Sequence, residues 1–592
     1  MSDFVHDRLQ FEFPGVGSLA MKIDEADMAS ATDVGRNTGR YVSEAADGRR
    51  IVIMNNHQPV AAIIGMADLR RLDALDIPVA GIAAHIPAPE VTLADLDIRP
   101  DWIPVGLTRA GHTAHINPLQ HLLVAGKGAS DMIGPLLAGV VEDGLDTAFV
   151  VASEQPVVIA YPEGRLPHVV SLATSLDIAN EERVAEQIAG ELDARSDLLR
   201  RHSVNTIDQY RRFNHDAGII DHLIVVIDTA DSVLGNQHRL SKVVDDIVQR
   251  GAALGASVWL FSPTATRHVI DACDAIEQRI ALTTRTAIES RGIIGCADAA
   301  DLTAGQAILQ TRPGTLMPIT TFIRDDSLPP RPLESIGPPT GWPSIAQPPT
   351  IQQVLCLPYE STSTSNRFEA PIGRFEAPIG VIDDPRAHRL VPFSLEFVSG
   401  AANLIRAQGP STPSTQILLD ALLASSAQLY TPNELQFRYI GHSPEYRVFS
   451  SRELPHVASV HRWGDPTNEL NDAITEAIAT ESGAHTVVIV DDWRPFHAPE
   501  YEQETAGLND VISRVFRMRQ NTSPGVHILA ICYGGSVPPY SRVLLEKSLH
   551  SVYLSGIDPS LADSTTRAIL RRLPNNPHHA AVAQRHLVLA AA

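Results

Sequence analysis

The sequence is poor in cysteine, and the few cysteines lie far apart along the chain. Its 592 residues include 4 of them, Cys273, Cys296, Cys356 and Cys532. None stands in a CxxC motif, the spacing that is typical of structural zinc sites and dithiol redox sites. The 23 histidines form no HxxxH or HExxH motif either. We therefore expect no metal site, and the cysteine usage favours a reducing compartment.

Clusters of basic residues are also absent. The formal net charge is −22, and no stretch of the chain gathers lysines and arginines. Proteins that bind nucleic acid normally present a basic face or stripe to the phosphate backbone. The charge therefore argues against a dedicated nucleic-acid-binding function.

No uninterrupted apolar run approaches the roughly 18 residues that a membrane-spanning helix needs. The first residues lack the basic and apolar segments of an export signal. From these two absences we expect a cytoplasmic protein, which a partner could hold at the inner face of the cell membrane.

The composition is that of a folded globular protein. Hydrophobic residues make up 44% of the chain and charged residues 20%, and this length accommodates three or four domains. Residues 223–227 and 258–261 are apolar throughout, as expected for parallel strands that helices cover on both faces. Val184, Ile188 and Leu192 fall on one face of a predicted helix, with Glu and Arg opposite. The pattern predicts an α/β fold.

The sequence also contains an internal repeat. Residues 103–106 correspond to 377–380, residues 166–169 to 454–457, and residues 222–228 to 485–491. The three matches keep the same order, and the second is identical in both copies. They predict one α/β domain that occurs twice.

These observations predict four segments. Residues 1–90 form a small α+β module, residues 95–326 the first copy, and residues 367–592 the second copy. Residues 327–366 are rich in Pro, Ser and Thr and have the composition of a linker. A heptapeptide at 367–373 recurs unchanged at 374–380, and we expect this duplication to lie in a surface loop.

In the first copy, residues 121–133 have the pattern of a buried strand, a glycine-rich turn and a helix start. A working phosphate-binding loop ends this turn with Gly-Lys-Ser/Thr, the lysine on the terminal phosphates and the hydroxyl on magnesium. Met132 and Ile133 stand at the last two positions. The candidate nucleotide-site residues of this copy are Gly126, Gly128, Ser130 and Asp228. Lys127 precedes the turn on the wrong side to substitute for the missing lysine.

The second copy has the same defect. Residues 403–415 contain Gly409 and Ser411, but Pro413 occupies the position of the lysine. The candidate nucleotide-site residues are Gly409, Ser411 and Asp491. Because phosphoryl transfer depends on charge placed against the phosphate oxygens, we predict that neither copy hydrolyses ATP.

The order of these motifs, together with the segment 195–202 (Arg-Ser-Asp-Leu-Leu-Arg-Arg-His), resembles the FtsK/SpoIIIE family and most closely the EccC ATPases of type VII secretion. The resemblance implies two tandem RecA/FtsK-like domains of the P-loop type. Active members place a glutamate after the aspartate of the second strand and a polar sensor on a third strand. Here Thr229 and Asp492 replace the glutamate, and Pro263 and Tyr533 occupy the sensor positions.

The N-terminal module resembles Phd/YefM antitoxins. The pattern predicts a helix over 33–46, a hairpin made of 51–54 and 59–64, and a helix over 66–72. Members of that family dimerise and contact DNA through basic residues, for which this chain offers Arg36, Arg40, Arg49 and Arg50. A module used only for dimerisation is the alternative.

We therefore expect a catalytically degenerate, EccC-like component of type VII secretion, which acts as a structural or regulatory subunit or as a substrate adaptor. We expect no cofactor, although weak ATP or phosphate binding at a helix start stays compatible with both loops. The implied partners are an EccC-type ATPase, other secretion-complex subunits, small helical secreted substrates and further copies of the chain. The alternatives are a regulator that binds DNA or a toxin through the N-terminal module and, more remotely, an active ATP-dependent DNA or protein translocase.

Overall fold

A computed structural model describes the greater part of the chain. The described residues are 28–47, 49, 51–55, 58–63, 102–142, 147–153, 168–173, 178–213, 220–235, 239–312, 314–321, 341–345, 347–358, 374–409, 412–442, 454–479, 484–518, 525–534, 542–574 and 576–592.

The N-terminal module is a three-stranded sheet with two short helices. Its elements are β1 (Met28–Ser30), α1 (Ala31–Arg36), α2 (Thr38–Ala46), β2 (Ile51–Asn55) and β3 (Gln58–Ile63). Strands β2 and β3 form the predicted hairpin, and β1 pairs with β2 in parallel. The single helix predicted over 33–46 is instead interrupted at Asn37, because the Asn37 side chain donates to Asp33 and the chain turns there. The helix predicted over 66–72 lies outside the described residues.

The first large sheet has ten strands. They are β4 (Ile103–Thr108), β5 (Thr113–Ile116), β6 (Leu122–Ala125), β7 (Thr147–Ala152), β8 (Val169–Ala173), β9 (His222–Ile227), β10 (Ala256–Ser262), β11 (Gln278–Ala281), β12 (Gln306–Arg312) and β13 (Thr315–Thr321). The accompanying helices are α3 (Ile133–Glu142), α4 (Ile178–Arg201), α5 (Ile207–Phe213), α6 (Ala230–Gly235), α7 (Arg239–Leu254), α8 (Arg267–Cys273) and α9 (Ala287–Ile294).

The second large sheet also has ten strands. A short helix, α10 (Ile351–Cys356), precedes it. The strands are β14 (Arg374–Asp384), β15 (Arg389–Val398), β16 (Ala402–Ala407), β17 (Leu435–Gly441), β18 (Val457–Arg462), β19 (His485–Asp491), β20 (Val526–Tyr533), β21 (Ser548–Leu554), β22 (His579–Val582) and β23 (Arg585–Leu589). The other helices are α11 (Pro413–Leu429), α12 (Asn468–Ala479), α13 (Glu502–Arg517), α14 (Arg542–Lys547) and α15 (Ser564–Leu570).

The two large sheets have the same topology. Their strand orders are β5-β4-β13-β12-β11-β6-β10-β9-β7-β8 and β15-β14-β23-β22-β21-β16-β20-β19-β17-β18, which correspond position by position. In both, the six strands at one end run parallel and the remaining pairs are antiparallel. Even a register shift recurs, between Pro104 and Gly106 and between Pro378 and Gly380. The predicted α/β fold with a repeated sheet is confirmed.

The central strands are buried on both faces, as their apolar sequences predict. All residues of β6, β7, β9 and β10 are buried, as are all residues of β20. Each sheet therefore separates two apolar layers. Trp259 and Phe261 point into one layer of the first sheet, and Leu260 points into the other.

The histidines of the repeated Leu-Pro-His-Val motif occupy equivalent places. The N–H of Phe149 donates to the carbonyl of His168 at 2.8 Å, and the N–H of Phe437 donates to the carbonyl of His456 at 2.7 Å. Both side chains are buried. Their recurrence thus reflects packing at the start of β8 and β18.

The segments predicted as linker and surface loop contribute in part to the second core. Helix α10 begins at Thr350, whose hydroxyl and the side chain of Gln353 form a capping box, and its Ile351 and Val354 are buried. The second heptapeptide copy forms the start of β14, where Phe375, Ala377 and Ile379 are buried. The surface-loop prediction is wrong for this copy, because alternate residues of the heptapeptide are apolar and supply one face of a strand.

Helix α4 carries the contact between the two domains. Val184, Ile188 and Leu192 pack on the first core, while the opposite face of the helix meets residues of the second domain. Arg183 forms an ion pair with Asp383 at 2.8 Å, and the two side chains are only 14% and 3% exposed. The ring of His388 donates from Nε2 to the carbonyl of Gln187 at 2.8 Å. The polar face of α4 is therefore a docking surface.

None of the helices in the described part of the chain combines the length and the apolar content that a transmembrane helix needs.

Three buried histidines and one partly buried histidine make the fold sensitive to acid. Burial lowers the pKa of His222 and His527 to about 3, and burial together with neighbouring positive or imidazole groups lowers the pKa of His579 and His586 to about 4. Because these values lie below the ordinary 6.5, the unfolded chain binds more protons than the native chain in between. The contribution of these histidines to stability is therefore fully present above pH 6.5, and it is lost as the pH falls below this value.

We expect each such histidine to add about 1.4 kcal/mol of destabilisation per pH unit in this window. The check is urea unfolding between pH 7 and pH 5, comparing the native chain with His527→Gln, which should flatten the slope. His112→Gln, at an exposed position, should leave the slope unchanged. The buried Asp491 carboxyl, whose pKa burial raises, acts in the opposite direction. An unaltered slope in His527→Gln would contradict the assignment.

Candidate functional site

The predicted residues of the first site meet at the carboxyl ends of the central parallel strands. Asp228 directly follows β9 and is fully buried. Gly126, Gly128 and Ser130 follow β6. The structure brings Ser130 to Asp228, with its hydroxyl donating to Oδ1 at 2.6 Å. This edge is where ligands bind in open α/β sheets.

The Asp228 carboxylate is occupied by donors of this chain. Besides Ser130, the hydroxyl of Ser153 donates to Oδ2 at 2.8 Å, and the N–H of Thr229 donates to Oδ1 at 2.8 Å. In an active P-loop protein the corresponding aspartate holds magnesium. Here three internal hydrogen bonds satisfy it without a cation.

Backbone N–H groups of the glycine-rich loop are hydrogen-bonded to carbonyls of the protein. The N–H groups of Gly126 and Lys127 donate to the carbonyls of Ser262 and Thr283 at 2.9 Å each. The N–H groups of Ala129 and Asp131 donate to the carbonyls three residues before them, within a tight helical turn. A phosphate cradle needs such N–H groups directed at the ligand. These four N–H groups therefore donate to carbonyl oxygens of the chain and are not directed at a ligand.

Glycine is required at the first loop position for a steric reason. Gly126 has φ +121°, and a Cβ there would lie 2.9 Å from the carbonyl carbon and oxygen of Leu282 and from the Thr283 oxygen. At the position where active proteins have the lysine, an apolar side chain packs on the core. Met132 packs against the apolar layer that contains the fully buried Ile133. The side chain of Lys127 is exposed.

The second site places Asp491 at the end of β19, in the position that Asp228 has after β9. Its side chain is 2% exposed and accepts hydrogen bonds from the hydroxyls of Tyr439 and Tyr533. Burial raises the pKa of the Asp491 carboxyl, and the two tyrosine hydroxyls oppose this rise. Both carboxylate oxygens are thus held by phenol groups.

The strand register shows which residues of the two copies are equivalent next to Asp228 and Asp491. Ala152 pairs with Ile227, and Ile440 pairs with Val490, so Gly441 is the counterpart of Ser153. A Cβ on Gly441 would lie 2.2 Å from the Tyr439 hydroxyl oxygen. Glycine at this position therefore leaves the space that the tyrosine hydroxyl fills.

The residue after each aspartate adopts the same unusual backbone conformation. Thr229 has φ +51° and Asp492 has φ +82°, values that cost a non-glycine residue about 1–3 kcal/mol. Asp492 is 1% exposed and pairs with Arg494 at 2.7 Å and with His442 at 3.0 Å. A carboxylate bound in this way does not face a nucleophilic water.

Gly409 is the described glycine of the second loop. A Cβ added to it would meet no atom of the described residues within 4 Å, so no described neighbour requires glycine there. Ser411 lies outside the described residues. Pro413 is the first residue of α11, where its missing N–H costs nothing.

Ser153, Tyr439, Gly441, His442 and Arg494 were not predicted from the sequence. Ser153 directly follows β7, the strand next to β9, and Tyr439 and Gly441 lie on β17, the strand next to β19. Their position at strand ends was a usable signal, but pairing between β7 and β9 and between β17 and β19 becomes known only from the fold.

Two of the four arginines considered for DNA binding in the N-terminal module are paired with acids, and Arg50 lies outside the described residues. Arg40 lies 3.3 Å from Asp33 and 3.7 Å from Glu44, and Arg49 lies 2.9 Å from Glu44. These pairs neutralise the charge that phosphate contacts would use. Arg40 and Arg49 are thus less available for contacts with phosphate, and DNA binding by the module stays a prediction.

Comparison with known proteins points to one group. No protein-family model matches the chain. An ESX secretion system protein EccC from Thermomonospora curvata is 26% identical over 363 residues, which cover 50% of this chain and 27% of that protein. The chain therefore spans about a quarter of the length of this curated relative.

Three solved structures share the fold. The cytoplasmic domain of the Thermomonospora curvata type VII secretion ATPase EccC superposes with a TM-score of 0.67 at 21% identity, covering 84% of this chain and 65% of that one. ATPases 2 and 3 of EssC from Geobacillus thermodenitrificans superpose with a TM-score of 0.55 at 12% identity, covering 86% and 99%. ATPases 2 and 3 of the Thermomonospora EccC, in complex with a signal sequence peptide, give 0.51 at 16% identity, covering 88% and 98%. This chain has the tandem P-loop ATPase fold of the EccC and EssC cytoplasmic regions and is similar in sequence to EccC.

Proposed function

We propose that the chain is a non-hydrolysing, EccC-like component of type VII secretion that acts as a structural or regulatory subunit or as a substrate adaptor. One observation carries the proposal: in both copies the aspartate that would hold magnesium is saturated by hydroxyl groups of the chain itself. Ser130 and Ser153 do so at Asp228, and Tyr439 and Tyr533 do so at Asp491.

Other substitutions at each site also support the proposal. The lysine position holds Met132 or Pro413, and Thr229 or Asp492 replaces the glutamate that would activate water. Each lost hydrogen bond between a charged group and phosphate is worth about 1.5–3 kcal/mol. Several are missing together, so neither cleft retains the charge that stabilises phosphoryl transfer.

A role without turnover still uses the fold. One similar structure is that of an EccC in complex with a signal sequence peptide. We extend this to the present chain as a proposal: its surface contacts small helical secreted substrates or an EccC-type ATPase. Saturated aspartates and a closed loop favour one rigid state over the nucleotide-driven changes of an active motor.

The test is ATP turnover by the purified chain. We expect no Mg²⁺-dependent phosphate release above background, because both loops lack the lysine. Met132→Lys combined with Ile133→Thr should gain ATP binding by roughly tenfold, as one charge-assisted contact returns. Turnover should stay absent in this variant, because Thr229 cannot activate water.

Met132→Gln combined with Ile133→Thr is the matched control, since it introduces polarity without charge and should bind ATP as the native chain does. Clear turnover by the unmodified chain would end the proposal. So would equal gains in the lysine and glutamine variants, because the ammonium group would then be irrelevant to the defect.

A further inference from the structure

A cavity lies between the two domains, away from both candidate nucleotide sites. Its volume is about 620 Å³, within the range of small-molecule pockets. Helix α4 and the start of α7 line one side, while β14, β15, α15 and the turn between β22 and β23 line the other. No residue of either glycine-rich loop contributes to it.

The charged lining is nearly balanced. The wall contains five guanidinium groups and four carboxylates, an excess of one positive charge in a protein of net charge −22. The five arginines are Arg183, Arg239, Arg389, Arg572 and Arg585. A planar guanidinium matches the oxygens of phosphate or carboxylate groups. The cavity is therefore suited to an anion.

The arginines differ in how firmly they are held. The pair between Arg183 and Asp383 is buried and joins the two domains. In contrast, Arg389 and its partner Asp384 are 48% and 36% exposed, and Arg572 and its partner Glu182 are 42% and 19% exposed. Exposed pairs contribute little free energy. A ligand can thus recruit Arg389 and Arg572 while the buried pair between Arg183 and Asp383 stays intact.

Arg585 has no ion-pair partner among the described residues, and it is presented by a strained turn. The turn joins β22 to β23 through Ala583 and Gln584, whose φ angles are +44° and +64°. Two successive positive φ angles are typical of a hairpin turn that normally contains Asn and Gly. Strain held by non-glycine residues often marks a functional site. Here it projects Gln584 and Arg585 at the cavity.

Apolar side chains form another part of the surface. Ile382, Val391, Ile569 and Leu573 line the cavity together with the arginines. An inorganic anion would leave this surface uncovered. A ligand with both an anionic group and an apolar body would use the whole site.

We infer that this cavity binds an organic phosphate of the nucleotide class, with the phosphate groups on Arg389, Arg572 and Arg585 and the organic part on Ile382, Val391 and Leu573. These contacts all belong to the second domain, and helix α4 of the first domain lines the opposite side of the cavity. The site is independent of the degenerate nucleotide clefts and of the proposed function.

The test is calorimetric titration of the full chain with ADP and, separately, with inorganic pyrophosphate, both in the presence of EDTA. We expect saturable binding of ADP that is tighter than that of pyrophosphate. Arg585→Gln should weaken it by roughly tenfold or more, because a charge-assisted hydrogen bond to phosphate is lost. Glu182→Gln should tighten it by a few-fold, because Arg572 is released from a competing carboxylate.

Arg571→Gln is the matched control, since Arg571 is an exposed neighbour that does not line the cavity, and it should leave ADP binding unchanged. No saturable binding of either probe would overturn the inference, as would an unaltered affinity in Arg585→Gln. Equal affinity for pyrophosphate and ADP would overturn the organic part. ATP turnover would refute only the proposed function, because it depends on Mg²⁺ and on the glycine-rich loops.

Discussion

Replacing Tyr439 and Tyr533 together with phenylalanine is expected to lower the free energy of unfolding of the second domain by about 3–5 kcal/mol at neutral pH. The two hydroxyls are the side-chain donors to the Asp491 carboxyl, which is 2% exposed. Without them a buried carboxylate loses its hydrogen bonds and must either remain unsatisfied or take up a proton. Chemical unfolding followed by tryptophan fluorescence measures the effect, since Trp463 donates to the Asp491 carbonyl.

The comparison requires a variant in which residue 491 carries no charge. In Asp491→Asn, the same double replacement should cost about 1 kcal/mol per hydroxyl, the ordinary value for a neutral hydrogen bond. Tyr430→Phe is a matched control in the same domain, because its hydroxyl donates to the neutral carbonyl of Glu376 at 2.9 Å. Equal costs in the native chain and in the Asp491→Asn background would show that the carboxylate does not depend on the tyrosines.

Replacing Gly190 with alanine is expected to separate the two domains. A Cβ at this position would lie 2.0 Å from the carbonyl oxygen of Arg386, and that obstacle is backbone, so no side chain can move aside. We expect a cost of about 3 kcal/mol, at the upper end for overpacking. The loss of docking should appear as a larger radius of gyration in small-angle scattering and as two thermal transitions.

Gly39→Ala provides the control, because Gly39 lies in α2 with no atom within 4 Å of its added Cβ. There the replacement should be neutral or stabilise by up to about 1 kcal/mol, from the better helix propensity of alanine. If Gly190→Ala left the scattering profile and the thermal transition unchanged, the close approach of α4 and Arg386 would not determine the domain arrangement.

A sequence pattern cannot show why a glycine stands inside a helix. Gly190 lies inside the amphipathic helix predicted from Val184, Ile188 and Leu192, where it lowers helix propensity by about 1 kcal/mol. Only the position of Arg386 explains it. The same holds for Glu186 and Asp193, which pair with Arg386 and are indistinguishable in sequence from solvated charges.

The candidate sites divide in a similar way. Asp228 and Asp491 were found as the polar residues that end buried strands, and the absence of lysine at Met132 and Pro413 was evident from spacing. The hydroxyl groups that donate to these aspartates could not be found from the sequence. Ser153 and Tyr439 are distant in sequence and reach the site through strand pairing. The heptapeptide duplication likewise indicated a loop by its repetition, whereas the burial of Phe375 required a neighbouring strand to be known.

The sequence by itself determined the α/β class, the duplication of the sheet and the loss of the lysine in both loops. These are local properties: they follow from periodicity, from repeated motifs and from the identity of residues a few positions apart. The tertiary structure alone decided which hydroxyls saturate the aspartates, how α4 docks on the second domain and that five arginines surround one cavity. Such contacts join residues far apart in the chain, and their energies depend on distances and burial that only the folded structure defines.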